Sequence, residues 1–269
     1  MSGIATTTAL PITLATPAEP VAIISLSSTA TEILYAIGAG DQVVAVDNMS
    51  NYPAEAPVTE LSGFTPNLEA IAGYEPDLVV ISYDPGDLVE GLQALEISTV
   101  MQRAASSIDD TYSQIAELGT LTGHAVEAEA LNASIKEELA ALADDSVGTG
   151  MTYFHEIDNT LYSATSSTFV GQLYALLGLE NIADPADKAG FGWPQLSAEF
   201  ILEEDPDIIF LSDAAWGESA ETVAARQGWG ALTAVVEGHV VPVDQDTSAR
   251  WGPRVVSFVK SVRTAIEGF

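Results

Sequence analysis

The chain of 269 residues carries 39 acidic and 8 basic side chains, a formal charge of −31, and 47% of its residues are hydrophobic. Because a nucleic-acid backbone is bound by clustered Lys and Arg, this balance argues against a nucleic-acid partner. The sequence contains no cysteine, which excludes disulfides and thiolate chemistry. No window approaches the roughly 18 uninterrupted apolar residues of a membrane span, so none is predicted.

The first hundred residues alternate predicted strands with predicted helices. Residues 4–16 alternate small, Thr and apolar residues and predict an edge strand or hairpin ahead of a first core strand over 21–26. A helix is predicted to begin at Thr29, where Glu32 would complete a capping box, and Gly38 marks its end. Further strands are predicted over 43–46, 78–81 and 97–101. This alternation is typical of a parallel, doubly wound sheet.

One segment occurs twice, at residues 66–82 and again at 194–212. Each copy begins a short helix at an N-cap candidate, carries a Glu, places a Pro-Asp pair seven residues later and continues into an apolar strand. The paired features are Asn67 and Ser197, Glu69 and Glu199, Pro76-Asp77 and Pro206-Asp207, and the strands 78–81 and 208–211, at a spacing of 130 residues. A unit repeated once, half a chain later, predicts two lobes of similar construction around one cleft.

Between the two copies, the pattern over residues 108–143 becomes helical and rich in Ala and Glu. Gly119 and Gly123 divide it into two predicted helices, the second of which, over about 124–143, crosses between the lobes. Later elements are predicted over 151–154 (strand), 168–177 (helix), 240–243 (strand) and 254–266 (helix). The expected fold is α/β, with two lobes that each hold a mainly parallel sheet, one long rigid helix joining them and a ligand cleft between them. The expected domains are an N-terminal extension or edge strand over 1–20, an N-terminal lobe over 21–122, a connecting helix over 123–145 and a C-terminal lobe over 146–269.

The sequence lacks the motifs of the common catalytic and nucleotide-binding sites. It contains no Gly-rich phosphate loop, no nucleophile elbow and no paired-His metalloprotease motif, and its histidines, His124, His155 and His239, are scattered. We therefore expect binding without turnover, with no catalytic residue, no resident metal and no cofactor. A hydrolase or lyase that uses the cleft, and a scaffold domain without small-molecule affinity, are the alternatives from other classes.

Aromatic side chains cluster where predicted strands begin or end. In an open α/β sheet, ligands bind in the crevice beyond the carboxyl ends of the strands, so these loops predict a large, flat, partly apolar ligand. The last strand is followed by Asp246 and Arg250, and Arg250 is a candidate anchor for a ligand oxygen because the chain has so few cations. The alternative roles are packing of each aromatic on its own core and an ion pair between Arg250 and one of the many acids. The aromatic candidates are Phe64, Tyr83, Tyr162, Trp193, Trp216 and Trp251.

Taken together, these residues resemble the substrate-binding proteins of ABC importers that take up cobalamin, ferric siderophores and haem. The resemblance covers residues 21–269 and implies two α/β lobes joined by one long helix. The motifs that carry it are Ser25-Leu26-Ser27 with Thr31-Glu32 and Gly38, N-x-E-x-I at 67–71 with Pro76-Asp77, the 118–123 run, Tyr162 and Phe169, Leu177-Gly178 and Asn181-Ile182, Trp193-Pro194-Gln195 with Ser197 and Glu199, and Gly252-Pro253-Arg254.

The resemblance also implies a partner and a location. In that family a Glu on the outer surface of each lobe docks onto Arg residues of the membrane permease, and Glu69 and Glu199 fall on those positions. The alternative is that each Glu only favours the N-terminus of its own helix. A monomer working outside the cytoplasm, in the periplasm or at the outer face of the membrane, is expected. The sequence begins at Met1 without a basic stretch followed by an apolar one, so we expect a leader or lipid-anchor segment to be absent from it.

The identity of the ligand follows less directly from the resemblance. Within the cobalamin branch, Trp193 and Tyr162 match aromatic walls of the cleft and Arg250 matches a cleft cation, whereas Met49 stands where an aromatic residue is common. A ferric siderophore would use more cleft cations, for which the candidates are Arg103, Arg226 and Arg250. Haem would need an axial ligand, for which the candidates are Tyr83, Tyr162 and His155. The expected order of ligands is a cobalamin-type corrinoid, then a ferric siderophore, then haem, each a metal-containing cargo.

Overall fold

In a computed structural model, residues 19–269 are described, and the edge strand or hairpin expected over residues 4–16 lies outside them. The first half of this part of the chain builds a parallel sheet with short helices between its strands. The elements are β1 (Ile23–Leu26), α1 (Ser28–Ala36), β2 (Val43–Val46), α2 (Leu68–Ala72), β3 (Leu78–Ile81), α3 (Leu88–Ala94) and β4 (Ser98–Met101). The strand order is β2-β1-β3-β4, with every pair parallel.

Two longer helices, α4 (Ile108–Thr122) and α5 (Ala125–Ala143), follow the first sheet. A capping box between Ser107 and Asp110 opens α4, and Gly123 closes it in the left-handed region at φ 80°. At 1.5 Å per residue, the 19 residues of α5 extend over about 28 Å. The division into two helices at Gly123 and the position of the second helix are confirmed, whereas Gly119 lies inside α4 and does not interrupt it.

The second half of the chain builds another parallel sheet. Its elements are β5 (Thr152–Glu156), α6 (Phe169–Ala175), β6 (Glu180–Asn181), α7 (Ala198–Glu204), β7 (Ile208–Leu211), α8 (Ala220–Ala225), α9 (Thr233–Val236), β8 (Val240–Pro242), α10 (Gln245–Ala249) and α11 (Val255–Ile266). The strand order, β6-β5-β7-β8, repeats that of the first sheet. The two lobes are therefore built alike, and within residues 19–269 no helix is long and apolar enough to cross a membrane.

The repeated segment has the same structure in both lobes. The side chains of Asn67 and Ser197 each accept a hydrogen bond from the backbone N–H three residues later and so cap α2 and α7. Asp77 accepts from the N–H groups of Val21 and Ala22 at 2.9 and 3.0 Å, and Asp207 accepts from the N–H of Thr152 at 2.7 Å. The Asp of each Pro-Asp pair thus fixes the entry of the neighbouring central strand, β1 or β5.

The spacing of 130 residues extends beyond the repeated segment to the central strands. Ile23 of β1 pairs with Leu78 of β3, and Tyr153 of β5 pairs with Ile208 of β7. Both members of the second pair lie 130 positions after their counterparts in the first. The two strand pairs at the centre of each lobe are therefore in identical register.

The start of α1 differs from the prediction. The N-cap is Ser27, whose side chain accepts from Ala30 N, and Glu32 takes no part in a capping box. Instead Glu32 is buried and accepts hydrogen bonds from Arg250 Nη1 at 2.8 Å and from Arg254 Nε and Nη2 at 2.9 and 2.6 Å. The capping-box prediction was wrong because the helix begins at Ser28, so Ala30 holds the third helical position and Glu32 lies too far into the helix to complete a capping box.

The buried apolar residues form three clusters. The largest is continuous from β1 and α1 of the first lobe, through α4 and α5, to α6 and α11 of the second lobe. A second cluster fills the outer layer of the second lobe, and a third fills the outer layer of the first. The connecting helices are thus part of a shared core, and they hold the carboxyl ends of both sheets toward one cleft.

Candidate functional site

Two adjoining cavities lie in the cleft where the strands of both sheets end. The N-lobe cavity, of about 280 Å³, is lined by the segments that follow β1, β2 and β3, together with Trp216, α10 and Trp251. The C-lobe cavity, of about 220 Å³, is lined by the segments that follow β4, β5 and β7 and by the first turn of α6. The two cavities share Gln245, Ala249 and Trp251, so one large molecule in the cleft can contact both.

Most of the candidate residues meet in the N-lobe cavity. Four of them present exposed apolar surface there, with exposed fractions of 52% for Met49, 70% for Phe64, 49% for Tyr83 and 79% for Trp216. Large apolar side chains exposed together around a cavity are typical of a binding surface. The candidates that line this cavity are Met49, Phe64, Tyr83, Trp216, Asp246, Arg250 and Trp251.

The remaining candidates divide between the C-lobe cavity and its surroundings. His155 and the half-exposed Trp193 line this cavity, next to Trp251. Tyr162 lines neither cavity, and its backbone forms an antiparallel bridge with Gln195, two residues after Trp193. Tyr162 is therefore a neighbour of the cleft wall in this structure and does not form part of it.

Arg250 lines the N-lobe cavity but is not a free cation. It is 7% exposed, and its guanidinium contacts Glu32 and Asp246 at 2.8 Å each. It also donates to Asn51 Oδ1 at 2.8 Å and to Met49 O at 3.1 Å. The alternative role, an ion pair with the chain's own acids, is the one observed, because these acceptors use both terminal nitrogens.

The other candidate cations, Arg226 and Arg103, line neither cavity. Arg226 contacts Glu156 at 2.5 Å and Glu218 at 2.7 Å, on the side of β5 opposite the C-lobe cavity. Burial raises the pKa of Glu156 to about 7, against the opposing effect of Arg226. Among the described residues that line the two cavities, Arg250 is the one cation, and it is paired. The cavities therefore offer apolar surface, neutral polar groups and the carboxyl groups of Asp47 and Asp246.

His155 is a deeply buried polar group of the C-lobe cavity. It is 3% exposed, and its Nδ1 lies 3.0 Å from the hydroxyl of Tyr174. Burial lowers the pKa of His155 to about 4, so the ring is neutral at physiological pH.

Two polar residues of the cleft did not emerge from sequence reasoning. Asp47 follows β2, lines the N-lobe cavity, is 5% exposed and accepts a hydrogen bond from Ser50 Oγ at 2.6 Å. Burial raises the pKa of Asp47. Gln245 lies between the cavities and accepts from Trp216 Nε1 at 3.0 Å, which orients the indole. The position of Asp47 directly after a predicted strand was the available signal, but the many acids of this chain obscured it.

Glu69 and Glu199 lie away from the cleft. Both are exposed, in the first turns of α2 and α7, and neither lines either cavity. Their equivalent places in the two lobes follow from the shared register of the sheets.

Comparisons with known proteins agree on a family. The family model described as "Periplasmic binding protein" matches residues 23–247. An ABC transporter substrate-binding lipoprotein from Bacillus subtilis is 30% identical over 259 residues, covering 92% of this chain and 80% of that protein. A cobalamin-binding protein from Halobacterium salinarum is 31% identical over 250 residues, covering 88% and 67%. The crystal structure of a possible iron-binding periplasmic protein from Staphylococcus epidermidis superposes with a TM-score of 0.79 at 27% identity, covering 92% and 99%.

Proposed function

The chain belongs to the periplasmic binding protein family of ABC-importer substrate-binding proteins, and on that premise we propose that it captures a cobalamin-type corrinoid in the cleft and delivers it to a membrane permease. The role is binding without chemical turnover, as for the relatives described above. A location outside the cytoplasm follows from the same family.

The observation that carries the ligand proposal is that, among the described residues, aromatic and other apolar side chains form much of the lining of the two cavities and no unpaired cation lines them. A corrinoid has a broad face edged with amides, which suits the aromatic surfaces of Trp193, Trp216 and Phe64 together with neutral hydrogen-bonding groups. An anionic ferric catecholate would meet a protein of formal charge −31 whose cleft arginine is already paired. The name of the Halobacterium salinarum relative, a cobalamin-binding protein, supports the same order.

A ferric hydroxamate is the second candidate, because its complex can be neutral and so avoids the electrostatic objection. The similarity to a possible iron-binding protein favours keeping it. Haem comes third: it would need an axial ligand, and Tyr162 lines neither cavity, which leaves Tyr83 and His155.

The test is a titration panel of cyanocobalamin, a ferric hydroxamate, a ferric catecholate and haemin, measured by isothermal titration calorimetry. We expect cyanocobalamin to bind most tightly. Tight binding of the catecholate without binding of cyanocobalamin would overturn the proposal. Replacing Trp193 or Trp216 by Ala should weaken binding of cyanocobalamin by roughly 1–3 kcal/mol, since each removes an aromatic contact. Phe269→Ala is the matched control, because Phe269 is a half-exposed aromatic that stacks on His239 and lines neither cavity.

We further propose that Glu69 and Glu199 dock onto the permease. Their exposure, their equivalent positions and the absence of a side-chain contact to the cleft support this role. The double variant Glu69→Lys and Glu199→Lys should retain affinity for cyanocobalamin and lose permease-dependent uptake in proteoliposomes. The control is Glu90→Lys with Glu127→Lys, which makes the same charge change at exposed positions on α3 and α5. Loss of cyanocobalamin binding in the first variant, or equal loss of uptake in both, would refute the assignment.

Finally, we propose that the lobes, taken as residues 21–122 and 146–269, move little on binding. The connecting helix packs into a core shared by both lobes, which opposes a large hinge rotation. Solution scattering with and without cyanocobalamin should give nearly equal radii of gyration. A clear decrease on binding would mean that the lobes close as a hinge.

A further inference from the structure

His155 and Tyr174 form a buried pair at the wall of the C-lobe cavity. Tyr174 has no exposed surface and lies within an aromatic cluster, with its ring centroid 4.4 Å from that of Tyr153, 4.8 Å from that of Phe210 and 5.3 Å from that of Phe258. Burial raises the pKa of the Tyr174 hydroxyl, so it keeps its proton. That proton needs an acceptor, because a buried donor without a partner is costly.

Within residues 19–269, the hydrogen-bond partner of the Tyr174 hydroxyl is His155 Nδ1, at 3.0 Å. If Nδ1 carried the ring proton, it would donate to the tyrosine oxygen and leave the hydroxyl proton unsatisfied in an apolar cluster. If Nδ1 is instead the acceptor, the ring proton lies on Nε2. Nε2 has no hydrogen-bond partner among the described residues, and it is not fully enclosed by protein atoms. Because His155 lines the C-lobe cavity, Nε2 is open to that cavity. The second arrangement satisfies the fully buried Tyr174 hydroxyl and leaves Nε2–H, which borders the cavity, as the one donor of the pair without a partner in the described part of the chain.

We propose that Tyr174 fixes the tautomer of His155 so that its Nε2–H faces the C-lobe cavity and binds an uncharged oxygen acceptor, such as the carbonyl of an amide, on the captured molecule. This assignment of a specificity-determining donor rests on the proposed function. Much of the surrounding wall is apolar: Ile157, Phe169 and Trp193 line it, the hydroxyls of Ser212 and Ser248 lie 3.2 Å apart, and Gln245 lies at its border with the N-lobe cavity. The Nε2–H donor therefore stands in largely apolar surroundings. A molecule that places an acceptor oxygen against this donor is selected, and a molecule that leaves the donor unpaired is rejected.

The same tautomer prevents His155 from ligating a metal in the cargo. A histidine binds a metal through a nitrogen lone pair. With the proton on Nε2 and with Nδ1 occupied by Tyr174, His155 offers no lone pair to the cavity. It therefore recognises an edge group of the cargo and does not ligate its metal.

The first experiment measures the tautomer directly, without any ligand. Long-range ¹H–¹⁵N correlation spectra of the ¹⁵N-labelled protein at pH 7 distinguish a protonated ring nitrogen from an unprotonated one. We expect Nε2 of His155 to be the protonated nitrogen, and we expect Tyr174→Phe to produce a mixture of tautomers because it removes the group that fixes Nδ1. A protonated Nδ1 in the wild-type protein would overturn the proposal.

The second experiment measures recognition with cyanocobalamin, whose edge carries amide carbonyls. His155→Leu removes the donor and should weaken binding about tenfold, the size of one neutral hydrogen bond. His155→Gln places an amide N–H near the position of Nε2 and should recover binding to within about threefold of wild type. His124→Leu, outside both cavities, is the control. Unchanged affinity in His155→Leu would overturn the donor role.

The absorption spectrum of bound haemin provides a further test that can refute the proposal. If haemin binds with a histidine-ligated absorption spectrum that His155→Leu abolishes, Nε2 must present a lone pair, and the proposal is wrong. If the wild-type protein binds no member of the panel, the proposed function fails, while the nitrogen shifts still decide the tautomer.

Discussion

The buried imidazole of His155 should make the stability of this protein depend on pH in a way that one substitution isolates. Its pKa is lowered by burial from 6.5 to about 4. Between these values the unfolded chain binds a proton at this residue and the folded chain does not, so the free energy of unfolding falls as the pH falls. Above pH 6.5 both states are neutral and the effect vanishes. Each pKa unit corresponds to 1.36 kcal/mol, so the loss approaches roughly 3 kcal/mol near pH 4.

The measurement is the difference in unfolding free energy between the wild-type protein and His155→Leu, from urea denaturation at pH 4.5, 5.5, 6.5 and 7.5. Because both proteins carry the same acidic groups, their contributions cancel in the difference. We expect the difference to be constant above pH 6.5 and to shift against the wild type by roughly 1.4 kcal/mol per pH unit below about pH 6. The same substitution at the half-exposed His239 measures the general effect of losing a histidine. A difference that stays constant from pH 7.5 to 4.5 would refute the reasoning.

Three further substitutions test the structural contacts, each by urea denaturation at pH 7. Glu32→Gln leaves Arg250 and Arg254 without their shared carboxylate. It should lower the free energy of unfolding by about 3 kcal/mol, since breaking a buried ion pair leaves uncompensated charge. A loss below about 1 kcal/mol would mean that the cluster is solvated. Asp207→Ala removes a half-buried acceptor at the entry of β5 and should cost about 2 kcal/mol. Asp77→Ala removes the equivalent but exposed contact at β1 and should cost about 1 kcal/mol. Equal losses of stability in the Asp207 and Asp77 variants would contradict the expectation that the more buried contact contributes more.

The parts of the fold that the sequence predicts are those that local chemistry determines. The strands over 43–46, 78–81 and 208–211 were predicted with their observed bounds because each is a short apolar run next to a turn. The N-caps Asn67 and Ser197 were predicted for the same reason, since a cap involves residues three positions apart. Shorter elements without such signals, among them β6 and α8 to α10, were not predicted.

The site was predicted less completely because its polar groups depend on distant partners. Position next to a predicted strand singled out Phe64 and Tyr83, and the family resemblance singled out Met49, and all three line one cavity. The pairing of Arg250 was beyond local reasoning, since its partner Glu32 lies 218 residues earlier in the chain. Tyr162 satisfied the same positional rule and still lies outside the two cavities, beside Gln195, with which its backbone forms an isolated bridge.

The continuous core that joins the lobes has a consequence for cooperativity. Apolar contacts run without a break from β1 and α1, through α4 and α5, to α6 and α11, so one lobe cannot unfold without exposing apolar surface of the other. Thermal unfolding should therefore follow a single transition. The slowest-exchanging amides should be found in β1 and β5 together, and a molecule bound in the cleft should raise the protection of both lobes by the same amount. If Glu69 and Glu199 face the permease as proposed, occupancy of the cleft would reach both of these surfaces as a change in stability.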